Sequence, residues 1–257
     1  GGILADDMGL GKTIQIIALL QAEAQEHPES QSLIICPASL VYNWENELKR
    51  FAPGLTVQTV TGTAPEREEI LRIAVQTGME TTQAALKTAV IRHPQILITS
   101  YDLLKRDITC YEPFQFRFQV IDEAQYIKNP LTQSAKSVKL IKAQTRCALT
   151  GTPIENRLAE LWSIFDYLMP GFLFTYSHFR RQFEAPIVKD GDTYALESLR
   201  RLTGPFVLRR LKKDVLKDLP DKLETVVYSM AEDEQKQLYT AHALALKEEL
   251  EQMSGDT

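Results

Sequence analysis

Asp6-Asp7-Met8-Gly9-Leu10-Gly11-Lys12-Thr13, followed at once by the apolar positions Ile14, Ile16, Ile17, Leu19 and Leu20, reads as a phosphate-binding loop opening a helix. Gly9 and Gly11 let backbone N–H groups turn inward around phosphate oxygens, with Asp7, Met8 and Leu10 completing the cradle. Lys12 adds a point charge toward the β- and γ-phosphates, and the Thr13 hydroxyl is suited to ligating magnesium. The N-terminus of a helix is itself an anion site. Against the pattern G-x-x-x-x-G-K-[ST] the match is incomplete, because Asp6 stands where the first glycine belongs. A glycine-rich turn into a core helix would account for the glycines, but it would not ask for lysine and threonine directly after them.

A nucleotide bound there needs one carboxylate for the metal and another for the attacking water, so a second motif is expected at the end of a buried strand. Phe118-Gln119-Val120-Ile121 is a short apolar run ending in Asp122-Glu123-Ala124-Gln125, 110 residues beyond Lys12 (122 − 12). Asp122 is expected to hold magnesium and Glu123 to orient or deprotonate water. Taken alone, Asp-Glu after a strand reads as a solvated turn; the pairing with Lys12 and Thr13 reverses that reading. A third run, Cys147-Ala148-Leu149, leads into Thr150-Gly151-Thr152-Pro153. Ligands of open parallel sheets gather at the carboxyl ends of the strands, so the three motifs are expected to converge on one crevice.

Taken together, these stretches resemble the ATPase of the Swi/Snf family, the helicase-like DNA translocases that include chromatin remodelers. The resemblance rests on residues 1–13, on Asp122-Glu123-Ala124-Gln125 with Ile127-Lys128-Asn129, and on Leu149-Thr150-Gly151-Thr152-Pro153-Ile154-Glu155-Asn156. Glu160-Leu161-Trp162-Ser163 and Leu208-Arg209-Arg210 add to it. Asp6 is usual in that family, whereas Gln125 stands where histidine is common. The resemblance implies an α/β RecA-like lobe with a central, mostly parallel sheet, followed by a helical protrusion and a connector. It implies ATP and magnesium as cofactors and double-stranded DNA as partner, with DNA-bound protein complexes as the things remodelled and translocation mostly without strand separation. It also assigns Gln125, Thr150, Gly151 and Thr152 to coupling, and Pro37, Ala38, Ser39, Thr99, Ser100 and Tyr101 to the DNA backbone. Arg209 and Arg210 become a brace toward a second RecA-like lobe, which in the family carries the arginines that complete the ATP site. On this reading the chain is a fragment, without that second lobe and without the adenine-reading segment that usually lies upstream.

The residues themselves leave some of these roles open. Ser39 reads equally as a helix cap, and Thr99 with Ser100 as caps of the helix carrying Leu103 and Leu104. Trp44, spaced helically with Leu40, Leu48 and Phe51, reads as a core anchor rather than a base-stacking platform. From residue 66 to 93 the pattern is helical, with no chemistry assigned. Phe172, Phe174, Phe179 and Phe183 read as a small helical core.

Composition sets the outer limits. The 257 residues are 44% hydrophobic and 25% charged, enough for one large core and a smaller appendage. A formal net charge of −5 argues against indiscriminate nucleic-acid binding, so DNA contact has to be local. Residues 200–222 form the one basic run, eight Lys or Arg against Asp214, Asp218 and Asp221. Cys36, Cys110 and Cys147 lie far apart and indicate neither a metal site nor a disulfide framework. No signal peptide or membrane-length apolar run is present, which points to an intracellular protein, in a bacterial cytoplasm or nucleoid or in a nucleus. The expected organisation is an ATP-binding lobe over residues 1–156, protrusion and brace over 157–222, and connector over 223–257. Two other readings share these motifs: an RNA-directed helicase of the wider superfamily, and an interaction module that has lost turnover.

Overall fold

The computed structural model describes residues 1–80, 94–151, 158–215 and 232–254. They fall into two compact units, Gly1–Lys217 and Asp218–Thr257. The first unit is built on seven short strands: β1 (Gly2–Leu4), β2 (Ser32–Cys36), β3 (Val57–Thr59), β4 (Ile96–Ser100), β5 (Phe116–Ile121), β6 (Ala143–Leu149) and β7 (Val207–Leu208). They pair in the order β3-β4-β2-β5-β6-β1-β7. Every pairing is parallel, so the expected mostly parallel sheet is wholly parallel among the described strands.

A parallel sheet has to be covered on both faces, which is why its strands read as unbroken apolar runs rather than alternating ones. β2 illustrates this directly. Leu33 and Ile35 enter the core on one face, Ile34 and Cys36 the core on the other, and all five residues of the strand are buried. Helices α1 (Lys12–Glu26) and α2 (Val41–Phe51) cover the second face through Ile16, Ile17, Leu20, Val41, Trp44 and Leu48. The first face takes α3 (Ala64–Glu80), α4 (Tyr101–Arg106), α5 (Gln133–Leu140) and α6 (Leu158–Leu168), through Leu71, Leu104, Val138 and Phe165. Two buried hydroxyls anchor α6: Ser163 Oγ donates to the Ile127 carbonyl, in the turn after β5, at 2.6 Å, and the Tyr167 hydroxyl donates to the Gln119 carbonyl, in β5, at 3.0 Å.

Beyond α6 come α7 (Tyr176–Phe179), a π-helical turn (Arg180–Glu184), α8 (Ala185–Asp190) and α9 (Thr193–Thr203). Phe179 and Phe183 are buried and lie 5.7 Å apart, and Phe172 packs against Phe165 and Phe206, as a small aromatic core requires. Phe174 is the exception, half exposed and held at φ 59°. The chain then returns to the sheet. β7 pairs with β1, Ile3 opposite Val207 and Leu4 opposite Leu208, before the short α10 (Lys212–Val215). The sheet therefore draws its edge strand from the segment read as brace, a run of two residues too short to show a period. The second unit contributes α11 (Asp233–Ser254). Residues 216–231, within the expected brace and connector, lie outside the described residues, as do residues 81–93 of the stretch whose pattern reads as helical. Among the described residues no helix is long and apolar enough to cross a membrane.

Candidate nucleotide site

Strand register brings the three motifs together. Ile3 pairs with Ala148, and Ala148 with Ile121. One residue further along each strand stand Leu4, Leu149 and Asp122. The residue directly after β6 is Thr150, whose N–H donates to the Leu4 carbonyl at 3.2 Å. Because β6 lies between β1 and β5, the carboxyl ends of all three strands open on the same edge of the sheet.

The phosphate loop has the backbone that its sequence requires. Gly9 and Gly11 sit at φ 87° and 76°, in the left-handed region that costs a glycine nothing, and Gly11 is the residue from which α1 starts. Lys12, the first residue of α1, donates through Nζ to the Asp6 carbonyl at 2.7 Å and to that of Asp7 at 3.4 Å. Its ammonium is thus held at the mouth of the loop. Met8 is 72% exposed at the loop's tip, and a Cβ on Gly151 would lie 3.4 Å from Met8 Cγ, so the first and third motifs meet there.

Asp6 is wholly buried and satisfied by the brace. Its carboxylate accepts from the Arg210 backbone N–H at 2.9 Å, from Arg210 Nε and Nη2, and from Gln15 Nε2 at 3.3 Å. The Arg210 guanidinium holds the Asp6 carboxyl below the usual carboxylate range. The pair therefore adds stability that is complete at neutral pH and is lost as pH falls through that lowered pKa. Asp6 fills the position of the missing glycine as the anchor for a segment 204 residues away.

Asp122 carries its carboxylate in a largely apolar setting. Burial pushes its pKa up, and the Trp44 indole N–H, the Glu123 backbone N–H and the nearby Lys12 charge counter that rise. Trp44 Nε1 donates to Oδ2 at 2.9 Å, and the Glu123 N–H donates to Oδ1 at 2.9 Å. Trp44 is the core anchor that its spacing indicated, only 1% exposed. Its polar edge has a second task, orienting Asp122, which helical periodicity has no means of signalling. Trp44→Phe keeps most of the ring and deletes the donor. The expected results are a loss of roughly 2 kcal/mol in stability and weaker magnesium-dependent nucleotide binding, whose acid limit moves to higher pH because Asp122 then protonates sooner. Binding titrations across pH check this; an unmoved acid limit refutes the orienting role.

Glu123 is held at φ 53° and ψ 60°, a left-handed conformation that costs a non-glycine residue roughly 1–2 kcal/mol. Its side chain points at Gln125, whose Nε2 donates to Glu123 Oε2 at 2.7 Å. The other end of that amide, Oε1, accepts from the Thr150 hydroxyl at 3.4 Å, near the limit of a hydrogen bond. A glutamine can donate and accept at once, so Gln125 joins the second motif to the third. Gly151 adjoins this bridge, while Thr152 lies outside the described residues.

The residues assigned to DNA divide. Pro37 is buried, but Ala38 and Ser39 are exposed at the carboxyl end of β2, and α2 begins without a side-chain cap, so Ser39 does not serve as one. At the neighbouring end of β4 the side chains turn inward. Thr99 is wholly buried, Ser100 caps α4 by accepting from the Leu103 N–H at 3.3 Å, and Tyr101 is 2% exposed. The Tyr101 hydroxyl donates to the Asp122 carbonyl at 2.7 Å, and its ring stacks on the half-exposed Tyr126 at 5.0 Å. Burial of these three side chains works against direct phosphate contact and gives Tyr101 a supporting position behind the carboxylate pair.

A parallel α/β sheet with a glycine loop, a lysine-threonine helix start and an adjacent Asp-Glu strand end defines a RecA-like P-loop lobe. The SNF2-related domain model matches residues 1–257, and the chain belongs to that family. An uncharacterised ATP-dependent helicase of Mycoplasma genitalium is 42% identical over 93% of this chain and 21% of its own length. The TATA-binding protein-associated factor MOT1 of Saccharomyces cerevisiae is 39% identical over 93% of this chain and 13% of its own. The SWI2/SNF2 ATPase core of Sulfolobus solfataricus in complex with double-stranded DNA superposes with a TM-score of 0.71 at 40% identity, covering 98% of this chain and 49% of that one. The chain thus spans about half of the solved core and a smaller part of the curated relatives.

The side chains present suit ATP with magnesium. An ammonium at the mouth of a glycine loop and a partly buried carboxylate oriented by two donors are the groups a metal-bound polyphosphate requires.

Proposed function

We propose that this chain is the ATP-binding lobe of a DNA-dependent ATPase that translocates on double-stranded DNA and displaces or repositions proteins bound there. The observation that carries the reading is the bridge from Glu123 through Gln125 to Thr150, because it links a water-handling carboxylate to the motif beside the phosphate loop. In the proposed division of labour Lys12 binds phosphate, the Thr13 hydroxyl and Asp122 hold the metal, and Glu123 orients water and accepts its proton. Magnesium, when bound with ATP, supplies the charge that neutralises the phosphate oxygens during transfer. Gln125, Thr150 and Gly151 pass the state of the site toward the exposed β2 end, where Ser39 and nearby backbone N–H groups suit a grip on phosphates that does not read bases. The second RecA-like lobe of the same protein is the expected partner across the crevice. Support for duplex DNA comes from the Sulfolobus core, solved with double-stranded DNA, and for a protein–DNA target from the relative named for its association with the TATA-binding protein.

The full-length protein should hydrolyse ATP with stimulation by duplex DNA well above that by RNA, and should displace a third strand from a triplex as it moves. Stronger stimulation by RNA would favour the helicase reading, and no hydrolysis with any nucleic acid would favour the silent module.

A further inference from the structure

The polypeptide after β7 continues alongside the phosphate loop. The Ala5 N–H donates to the Leu208 carbonyl at 2.7 Å and the Asp7 N–H to that of Arg210 at 3.1 Å. In return, the Arg210 N–H donates to the Asp6 carboxylate at 2.9 Å, and the Lys212 N–H to Asp7 Oδ2 at 3.0 Å. Alternating contacts in both directions fix the register between residues 5–7 and 208–212. That register decides where the next side chain goes. A Cβ built on Gly9 would lie 3.6 Å from both Cε and Nζ of Lys212, so the end of the lysine stem is laid against the glycine that shapes the loop. Lys212 is exposed, and among the described residues its ammonium has no carboxylate partner.

We propose that Lys212 is a second phosphate-binding cation of the site, reaching the polyphosphate of a nucleoside triphosphate from the brace while Lys12 reaches it from the loop. The inference rests on the nucleotide-binding reading above. Its chemistry is that of an ammonium on a four-carbon stem, able to swing onto an anion at little cost because among the described residues it leaves no carboxylate partner behind. The consequence is mechanical. Asp6 and Asp7 already fasten the brace to the loop through its backbone and Arg210, and a phosphate contact from Lys212 makes that fastening depend on whether nucleotide is bound. The backbone anchor of Lys212 is its own N–H, which every substitution except proline retains, so the side chain can be tested without unfastening the segment.

The test is equilibrium binding of a fluorescent ATP analogue with magnesium to the full-length protein. Lys212→Ala and Lys212→Gln are each expected to weaken binding about 10- to 20-fold, the lower end of the range for one charge-assisted hydrogen bond because the exposed ammonium is partly screened by water. Lys212→Arg should restore most of it, and the deficit should shrink at high ionic strength as charges are screened. Lys213→Ala, beside it on the exposed face, should bind as the unaltered protein does. Lys12→Ala is run in parallel as the reference for the site. If Lys12→Ala loses binding while the Lys212 variants match Lys213→Ala, or if arginine fails to restore the loss, the inference is overturned and the nucleotide reading stands. If Lys12→Ala binds normally, the nucleotide reading falls and takes this inference with it.

Discussion

Glu123→Gln in the full-length protein should retain ATP binding and lower kcat by about 10²- to 10⁴-fold, the range for removing a positioned general base. That corresponds to roughly 3 to 5 kcal/mol of barrier. The physical reason lies in how the two carboxylates are held. Asp122 is partly buried and gripped by the Trp44 and Glu123 N–H groups, which suits it to the proposed role of metal ligand. Glu123, by contrast, is presented by a left-handed backbone and touched by Gln125, which accounts for only one of its carboxylate oxygens. The substituted amide keeps size and leaves the neighbouring aspartate undisturbed, but it cannot take a proton from water. Lys12→Ala should behave in the opposite sense and weaken ATP binding itself by roughly 10- to 150-fold, the equivalent of one charge-assisted hydrogen bond. Binding titrations and single-turnover hydrolysis separate the two variants. Equal loss of nucleotide affinity in both would show that the roles of Lys12 and Glu123 are wrongly divided.

A polypeptide of residues 1–257 expressed alone should fold, bind nucleotide weakly, and show no appreciable DNA-stimulated hydrolysis. Phosphoryl transfer is catalysed mostly by positioning and by charge around the γ-phosphate, and an arginine finger contributes about 10³- to 10⁵-fold. This is roughly 4 to 7 kcal/mol, more than one lysine and a metal are expected to make up. By resemblance those arginines belong to the second lobe. Arg210 is no substitute, because its guanidinium is committed to Asp6 and to Gln15 at 2.6 Å. Freeing it would leave a buried carboxylate without its opposite charge. DNA affinity should also fall less steeply with added salt than in the full-length protein, since fewer phosphates are contacted. A steady-state ATPase assay with and without duplex DNA decides the matter, and robust stimulation would mean that the rest of the core is dispensable.

Much of the site is local chemistry and could be read as such. The phosphate loop announces itself through two glycines at left-handed positions followed by lysine and threonine. The Asp-Glu pair is marked by the buried run Phe118–Ile121 before it, and the carboxyl-end rule for parallel sheets then predicts that such motifs meet. The apolar runs Phe118–Ile121 and Cys147–Leu149 likewise named β5 and the end of β6, and helical spacing named Trp44 and Leu48 as core. Each inference uses neighbours within a few residues, where period and turn chemistry act.

Four further features are decided only by contacts between distant parts of the chain. The insertion of β6 between β1 and β5 sets Thr150 beside both nucleotide motifs, and strand order is a matter of crossover packing that no single strand encodes. Trp44 and Asp122 lie 78 residues apart, so the hydrogen bond that orients the carboxylate exists only once α2 is laid on the sheet. Tyr101, expected to face DNA, is drawn into the core because its ring has Tyr126 to stack on and its hydroxyl has the Asp122 carbonyl to satisfy. The same holds for Asp6. Its sequence position said only that a glycine was missing; the tertiary structure supplies Arg210 as its partner, because a carboxylate is stable in the interior only where folding brings an opposite charge to it.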